Sequence, residues 1–430
     1  MGRPPVVLGL DFGGTKIAMA VCDLQGNRLA SATVSAGAAG SGPAGAGPAA
    51  ARPDLAAGKG ERAASPPGAR AVFDRAVRAA RSLLATAAPG SELAAVGVAT
   101  FGIPHDDRVE LAPAIDGWES LALGRELSAA FGGAAIRMAT DAKAAAAAES
   151  RWGALHGCDP AVYLNLGTGL AAAIVAGGQV ISGGNGAAGE IGYNLRAISD
   201  VGVALSARTM LEDRVSGQGI ARRASRQPGR AGRLTAADVF AAGPQDAALG
   251  ALIAEFADEL AYHLVNLAIL IDPVRIAVGG GLVRSWDQIG PQLHRALGSG
   301  PPFPPELVLA HFPYDAPLLG AVALAVDAAG PPVPAAPAAG TPAAGGRAAN
   351  AAATPPDPGI THSSDIPDSS GITETPDTSE GPGNPEKKQA PTPAEIPAST
   401  GVAAVMSAPC STDATLGIFG TFNKNTGAKA

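Results

Sequence analysis

The stretch "VVLGLDFGGTKIAMAVCDLQGNRL", beginning at Val6, constrains this chain more than any other. Its apolar run stops on Asp11, passes through Gly13, Gly14, Thr15 and Lys16, and then turns apolar again. A glycine pair lets backbone approach a ligand closely, because no Cβ stands in the way. An acid, a hydroxyl and a lysine beside such a pair suit a phosphate accompanied by a metal ion. The spacing is not that of G-x-x-x-x-G-K-[ST], and no helix start follows. The reading is a β-hairpin whose turn cradles phosphate, with the rest of the site supplied from elsewhere in the chain.

The 430 residues suffice for two domains with sizeable cores. Apolar residues make up 47% but aromatics only 4%, so those cores must be built from Ala, Val, Leu and Ile. The formal net charge of −7 leaves no basic surplus to neutralise phosphates, which excludes nucleic acid as a default partner. Cys22, Cys158 and Cys410 are scattered and contain no C-x-x-C pair. The residues ahead of Val6 are too few for a signal peptide, and no apolar run reaches bilayer length. The expectation is a cytoplasmic protein with no membrane partner.

Residues 36–70 are nearly all Ala, Gly and Pro, and from about Gly330 the chain is rich in Pro, Ala, Thr and Ser. Neither segment carries enough apolar surface to offset ordering entropy, so both are expected to be disordered. Between them runs an α/β pattern. Val6–Leu10, Lys16–Cys22 and Leu29–Val34 read as strands, and Phe73, Val77, Ala80 and Leu84 recur at helical spacing. "AVYLNLG" and "GLAAAIVAGG" repeat the opening strand–glycine turn–strand unit about 150 residues later, which suggests a duplication into two lobes around a cleft.

The second turn, Gly167-Thr168-Gly169, either faces a phosphate from the opposite lobe or simply joins two strands. "RIAVGGGLV" supplies Gly280 and Gly281 for close approach of a ribose or flat ring, or for ordinary helix-on-sheet packing. Thr140 or Asp141 ends a strand and starts a helix, where capping residues are usual. A carboxylate at that place also faces the crevice where ligands bind in α/β folds, and can take a proton from an attacking hydroxyl. Glu190 and Glu212 lie beside glycine-rich turns, as acceptors for sugar hydroxyls or as solvated charges.

In order, "LGLDFGGTK", "GVATFGIP", "ATDAKAAAAAE", "LNLGTG", "GNGAAGEIGY" and "AVGGGL" resemble the ROK family of sugar kinases, repressors and open reading frames, over roughly residues 6–329. The resemblance implies a two-lobed, actin-like (ribonuclease H-like) α/β fold that moves the γ-phosphoryl group of ATP onto a sugar hydroxyl. It implies that Asp11 organises Mg²⁺ through water, and that Gly13, Gly14, Thr15, Lys16, Gly167, Thr168 and Gly169 hold the phosphates. Gly280 and Gly281 would lie by the adenosine, Asp141 would be the catalytic base, and Glu190 and Glu212 would grip the sugar. The lobes implied are 1–138, with 36–70 as an insertion, and 139–329, followed by a tail over 330–430. A homodimer is compatible with this reading.

The sequence departs from the family pattern on the acceptor side. Thr140 stands where an Asn precedes the catalytic Asp, Ala114 where an Asn follows "AP", and Tyr193 where a His follows "GEIG". Between Val203 and Met210, where the family has a zinc knuckle, there is neither Cys nor His, so no zinc is expected. Thr140, Asp141, Glu190, Tyr193 and Glu212 thus form an altered acceptor set beside an intact phosphate set. The expectation is a kinase for a modified hexose or a C7-cyclitol, a glucose-like carbocycle of antibiotic pathways. The alternatives are an ordinary glucokinase or N-acyl-hexosamine kinase, and a catalytically silent sugar sensor. A repressor would need a helix-turn-helix ahead of Asp11, for which there is no room.

Overall fold

Each glycine-bearing hairpin begins a five-stranded sheet in the computed structural model, which describes residues 3–37, 68–230 and 232–330. In the first sheet β1 (Val6–Phe12) pairs antiparallel with β2 (Lys16–Asp23), and β3 (Arg28–Ser35) extends that edge. Asp11 pairs with Ala18 and Phe12 with Ile17, so the strand runs past the carboxylate instead of stopping on it. Helix α1 (Ala69–Ala87) leads to β4 (Leu93–Thr100), parallel to β1. A short hairpin of β5 (Ile103–Pro104) and β6 (Val109–Glu110), then α2 (Leu123–Ala130), precede β7 (Ala135–Thr140), parallel to β4.

Helix α3 (Asp141–Trp152) connects to the second sheet. There β8 (Ala161–Leu166), β9 (Leu170–Ala176) and β10 (Gln179–Val180) form the antiparallel side. Helices α4 (Leu211–Arg214), α5 (Gly217–Ser225), α6 (Ala236–Ala242) and α7 (Ala247–Ile271) intervene before β11 (Arg275–Gly279). After α8 (Trp286–Ser299), β12 (Glu306–Leu309) completes the parallel side, and α9 (Ala316–Ala329) closes the described chain. The orders β3-β2-β1-β4-β7 and β10-β9-β8-β11-β12 repeat one plan, with the glycine hairpin on one side and parallel strands on the other.

The expected low-complexity segments lie outside the described residues except at their margins. Ala36 is buried and its N–H donates to Thr15 O at 2.9 Å, while α1 begins at Ala69, inside the segment read as an insertion. Val72, Phe73, Ala76, Val77 and Ala80 are the buried face of α1. The Gly280 cluster does not pass straight into a helix, because Gly281–Ser285 form a short 3-10 turn ahead of α8. No helix among the described residues is long and apolar enough to cross a membrane.

The alanine-rich composition has a structural use at α3 and α9. Both sides of the first sheet are covered, and α9 packs on β1 and β4 while touching α3. Leu318, Leu319 and Val322 are buried there, and Leu324 is half-buried. The approach is so close that a Cβ on Gly97 would sit 1.8 Å from Ala321 O, and one on Gly320 would sit 1.8 Å from Ala144 O. The buried residues of α3 are Ala142, Ala144, Ala145, Ala146 and Ala148, together with the charged Lys143 and Glu149. The fully buried Glu149 carboxylate accepts from Ala154 N (2.6 Å), His311 N (3.1 Å) and Phe312 N (2.7 Å), tying the end of α3 to the segment that leads into α9.

This packing makes a stability prediction. Gly97→Ala should force the sheet and α9 apart at a cost of about 1–3 kcal/mol or more. Thermal unfolding should report a Tm lower by roughly 2–4 °C per kcal/mol in a chain of this size. Gly298→Ala on α8 meets nothing within 4 Å and should hold or raise Tm. Equal Tm values for wild type and Gly97→Ala would show that the α9 contact is slack.

Candidate active site

Thr140 ends β7 in extended backbone and its hydroxyl accepts from Lys143 N at 3.4 Å, so Thr140 rather than Asp141 caps α3. Asp141 is the first helical residue, and its Oδ1 accepts from Ala142 N at 2.7 Å. The helix N-terminus favours a negative charge at that place. Burial outweighs it: the Asp141 carboxyl is held above the usual carboxylate range, with the Ala142 N–H and the Lys143 ammonium opposing the rise.

Asp141 lines a cavity of about 180 Å³ together with Thr140, Gly169, Glu190, Tyr193 and Glu212. The resemblance assigned all of these to the acceptor or phosphate side, and the fold brings them to one place. Glu190 is pushed up to about 7, first by burial and then by Asp141 and Glu212, against the pull of Lys143. Glu212 is also raised by burial, although its Oε2 accepts from Leu170 N at 2.9 Å. Burial likewise raises the half-buried Tyr193 phenol, with Glu212 and Glu190 adding to the effect. Ala114 is not among the lining residues, so an amide lost there does not itself open this cavity.

The sequence reading missed part of the wall. Phe101, Ile103 and Leu111 come from the β5–β6 hairpin and its flanks, and Asn165 and Met210 from the second sheet's side. Leu111 is 44% exposed and has a φ of +55°, a left-handed backbone unusual for leucine. Its sequence gave no periodic signal, because the chain there is a loop.

The two glycine turns close hairpins, as the strand–turn–strand pattern predicts. Gly13 N donates to Lys16 O at 3.0 Å, closing the first hairpin. In the second, Gly167 N donates to Gly169 O at 3.1 Å, and the start of α5 docks on it through Gly217 N to Gly167 O (2.9 Å) and Gln218 N to Thr168 O (3.2 Å). A Cβ on Gly169 would lie 2.6 Å from Glu212 Oε2, so this glycine admits the carboxylate to the cavity. Gly280, with φ +92°, packs where a Cβ would meet Leu166 O at 2.5 Å, whereas Gly281 has open space before it. The adjoining turn is held by Gly280 N to Pro313 O (3.3 Å) and by the Arg284 guanidinium 4.4 Å over the Tyr314 ring.

Asp11, on β1, is not among the residues lining that cavity. Its carboxyl is raised to about 7 by burial first, then by Asp141; Lys16 opposes and Asp315 adds to the rise. Excess buried negative charge of this kind fits a cation. Among the described residues no three His, Cys, Asp or Glu stand close enough to ligate one together.

The sequence profile of the ROK family matches residues 74–328. The chain belongs to the ROK family. The bifunctional enzyme NanE/NanK of Brucella suis is 37% identical over 205 residues, 47% of this chain and 37% of that protein. The kanosamine kinase of Amycolatopsis mediterranei is 29% identical over 217 residues, 47% of this chain and 66% of that protein. A ROK family glucokinase from Streptomyces griseus, solved in complex with glucose and AMPPNP, superposes with a TM-score of 0.55 at 28% identity, covering 75% of this chain and 99% of that one. This ROK protein thus spans little more than a third of the Brucella relative's length, and its α/β architecture is the actin-like fold of the family's sugar kinases.

Hydrogen bonds and ion pairs hold the segment that follows Tyr193. Arg208 Nη2 donates to Tyr193 O at 2.7 Å, and Arg196 and Ala197 backbone N–H groups donate to Asp200. Arg196 pairs with Glu259, which also pairs with Arg214 at 3.2 Å, and Arg214 reaches Glu255 at 3.0 Å. These bonds anchor the segment after Tyr193 to α7.

The raised Asp11 carboxyl gives a signed prediction. A carboxylate whose folded value lies above its unfolded one contributes least once it is ionised, so stability is lost as pH rises from about 4 toward 7. In metal-free protein, Asp11→Asn should therefore exceed wild type in Tm at pH 8, with the gap closing toward pH 4. A wild type as stable as the variant at pH 8 would show that Asp11 ionises there without penalty.

Proposed function

We propose that this ROK protein transfers the γ-phosphoryl group of ATP to a primary hydroxyl of a sugar-like acceptor, a C7-cyclitol or modified hexose, with Asp141 as general base. The observation that carries this reading is the place of Asp141. It shares a cavity with Glu190 and Glu212, and its charge adds to the rise of the Asp11 carboxyl. A group at that junction can face an acceptor hydroxyl on one side and a phosphate on the other.

In the reaction, the acceptor hydroxyl loses its proton to the Asp141 carboxylate as its oxygen attacks the γ-phosphorus. The bond from that phosphorus to the β,γ-bridging oxygen breaks, and ADP leaves. Burial makes Asp141 a stronger base than a solvated aspartate, which suits it to an alcohol proton. Gly13, Gly14, Thr15, Lys16, Gly167, Thr168 and Gly169 would hold the phosphates by N–H groups, a hydroxyl and an ammonium. Gly281, with open space before it, would take the adenosine side beside Gly280. Bound Mg²⁺, held at Asp11 through water, would neutralise phosphate charge. The Streptomyces griseus complex with AMPPNP supports a nucleotide as donor.

Glu190, Glu212, Thr140 and Tyr193 would position the acceptor. Phe101, Ile103, Leu111 and Met210 give the cavity an apolar wall that makes no polar contacts to a fully hydroxylated ring. A ring carrying carbon or an altered substituent on that side would leave fewer buried groups unpaired. The relative named kanosamine kinase supports a modified hexose. A plain hexose is the second reading, supported by the glucose in the Streptomyces griseus complex.

A panel of glucose, N-acetylmannosamine, kanosamine and a C7-cyclitol, each with ATP and Mg²⁺, tests this. The expected result is ADP release coupled to acceptor phosphorylation, with kcat/KM for a modified ring exceeding that for glucose by about 10²-fold. A clear advantage for glucose would restore the plain hexokinase reading. Binding without turnover on every acceptor would make the protein a sensor.

A further inference from the structure

Lys143 is a buried cation that the proposed chemistry leaves unused. It lies on α3 two residues after Asp141, is 5% exposed, and is not among the residues lining the cavity. Its Nζ donates to Gly186 O at 2.8 Å and stands 3.9 Å from Glu190 Oε1. An ammonium is costly to bury unless its charge and donors are met, so these contacts are what keep it there.

Those contacts join three parts of the acceptor site. Helix α3 carries Asp141, and the segment from Gly186 onward carries Glu190. Gly186 itself, with φ +75°, lies against the cavity wall, where a Cβ would come 2.7 Å from Ile103 Cγ2. Glu212 is fixed separately by Leu170 N, whereas the ion partner of Glu190 among the described residues is Lys143. Burial lowers the Lys143 ammonium from its ordinary value, and Glu190 and Asp141 act against that lowering.

We infer that Lys143 is a positioning residue for the acceptor: its ammonium clamps the Gly186–Glu190 segment onto α3 and so holds the Glu190 carboxylate in register with Asp141. The inference rests on the kinase reading and names a determinant of acceptor binding within it. Lysine suits the task because a single ammonium can serve a carbonyl and a carboxylate at once. Methionine keeps most of the apolar stem and loses both contacts.

The test is steady-state kinetics of Lys143→Met, Lys143→Arg, Glu190→Gln and the double variant Lys143→Met/Glu190→Gln, using the best acceptor of the panel. Lys143→Met should raise acceptor KM about tenfold or more while ATP KM stays within about twofold, and Lys143→Arg should recover most of the loss. In the Glu190→Gln background the Lys143→Met change should add less than about threefold, because the pair is already broken. Unchanged acceptor KM, a parallel rise in both KM values, or full additivity in the double variant would overturn the inference. If Lys143→Met fails to fold, Lys143→Gln makes the same comparison. Failure of both to fold would make Lys143 a folding residue and overturn the inference too. A wild type that phosphorylates no acceptor fails the kinase reading and takes this inference with it. An active wild type with an unaffected Lys143→Met variant fails this inference alone.

Discussion

Helix α3 runs so close to α9 that Gly320 has no room for a side chain beside the Ala144 carbonyl, and the site depends on this contact. It fixes α3 against the helix that covers β1 and β4, and Glu149 fastens the other end of α3 to the segment leading into α9. Asp11 stands on β1 and Asp141 at the start of α3, so the distance between them is set by packing among alanines and glycines. Large side chains would hold the same elements further apart. The small residues at this contact therefore serve the geometry of the site as well as stability.

On this frame the protein gathers carboxylates with few cations to balance them. Asp11 and Glu190 are each raised to about 7, and Asp141 and Glu212 are raised as well, with burial the first cause in every case. Lys16 and Lys143 oppose this from the two sides. A site with excess buried negative charge is incomplete without ligands. Hydroxyl donors from an acceptor can satisfy Glu190 and Glu212, and a cation can satisfy Asp11. Burial makes Asp141 a better proton acceptor than an aspartate in water.

Much of this was legible in the sequence for physical reasons. Glycine turns between apolar runs announce hairpins, and a carboxylate between a strand and an alanine helix announces a crevice residue. Asp11, Asp141, Glu190 and Glu212 therefore stood out from their neighbours. Lys143 did not, because a lysine in an alanine run looks like a solvated helix charge until a distant loop covers it. Leu111, Phe101 and Met210 were hidden for a related reason: loop residues have no periodicity, and only tertiary contact decides which of them reach a cavity. Ala114 shows the converse, since a position beside the right motif need not point into the site. The pairing of Arg196 with Glu259 was not legible either, because its two members lie far apart along the chain.

The central claim is that Asp141 takes the acceptor proton, and it is tested most directly by phosphoryl transfer in Asp141→Asn, measured in a single turnover alongside nucleotide affinity. The account predicts a transfer rate lower by about 10²–10⁴-fold, with nucleotide binding retained, because asparagine preserves shape and removes the base. A variant that transfers phosphate at close to the wild-type rate would contradict the account and reduce Asp141 to a residue at the start of a helix.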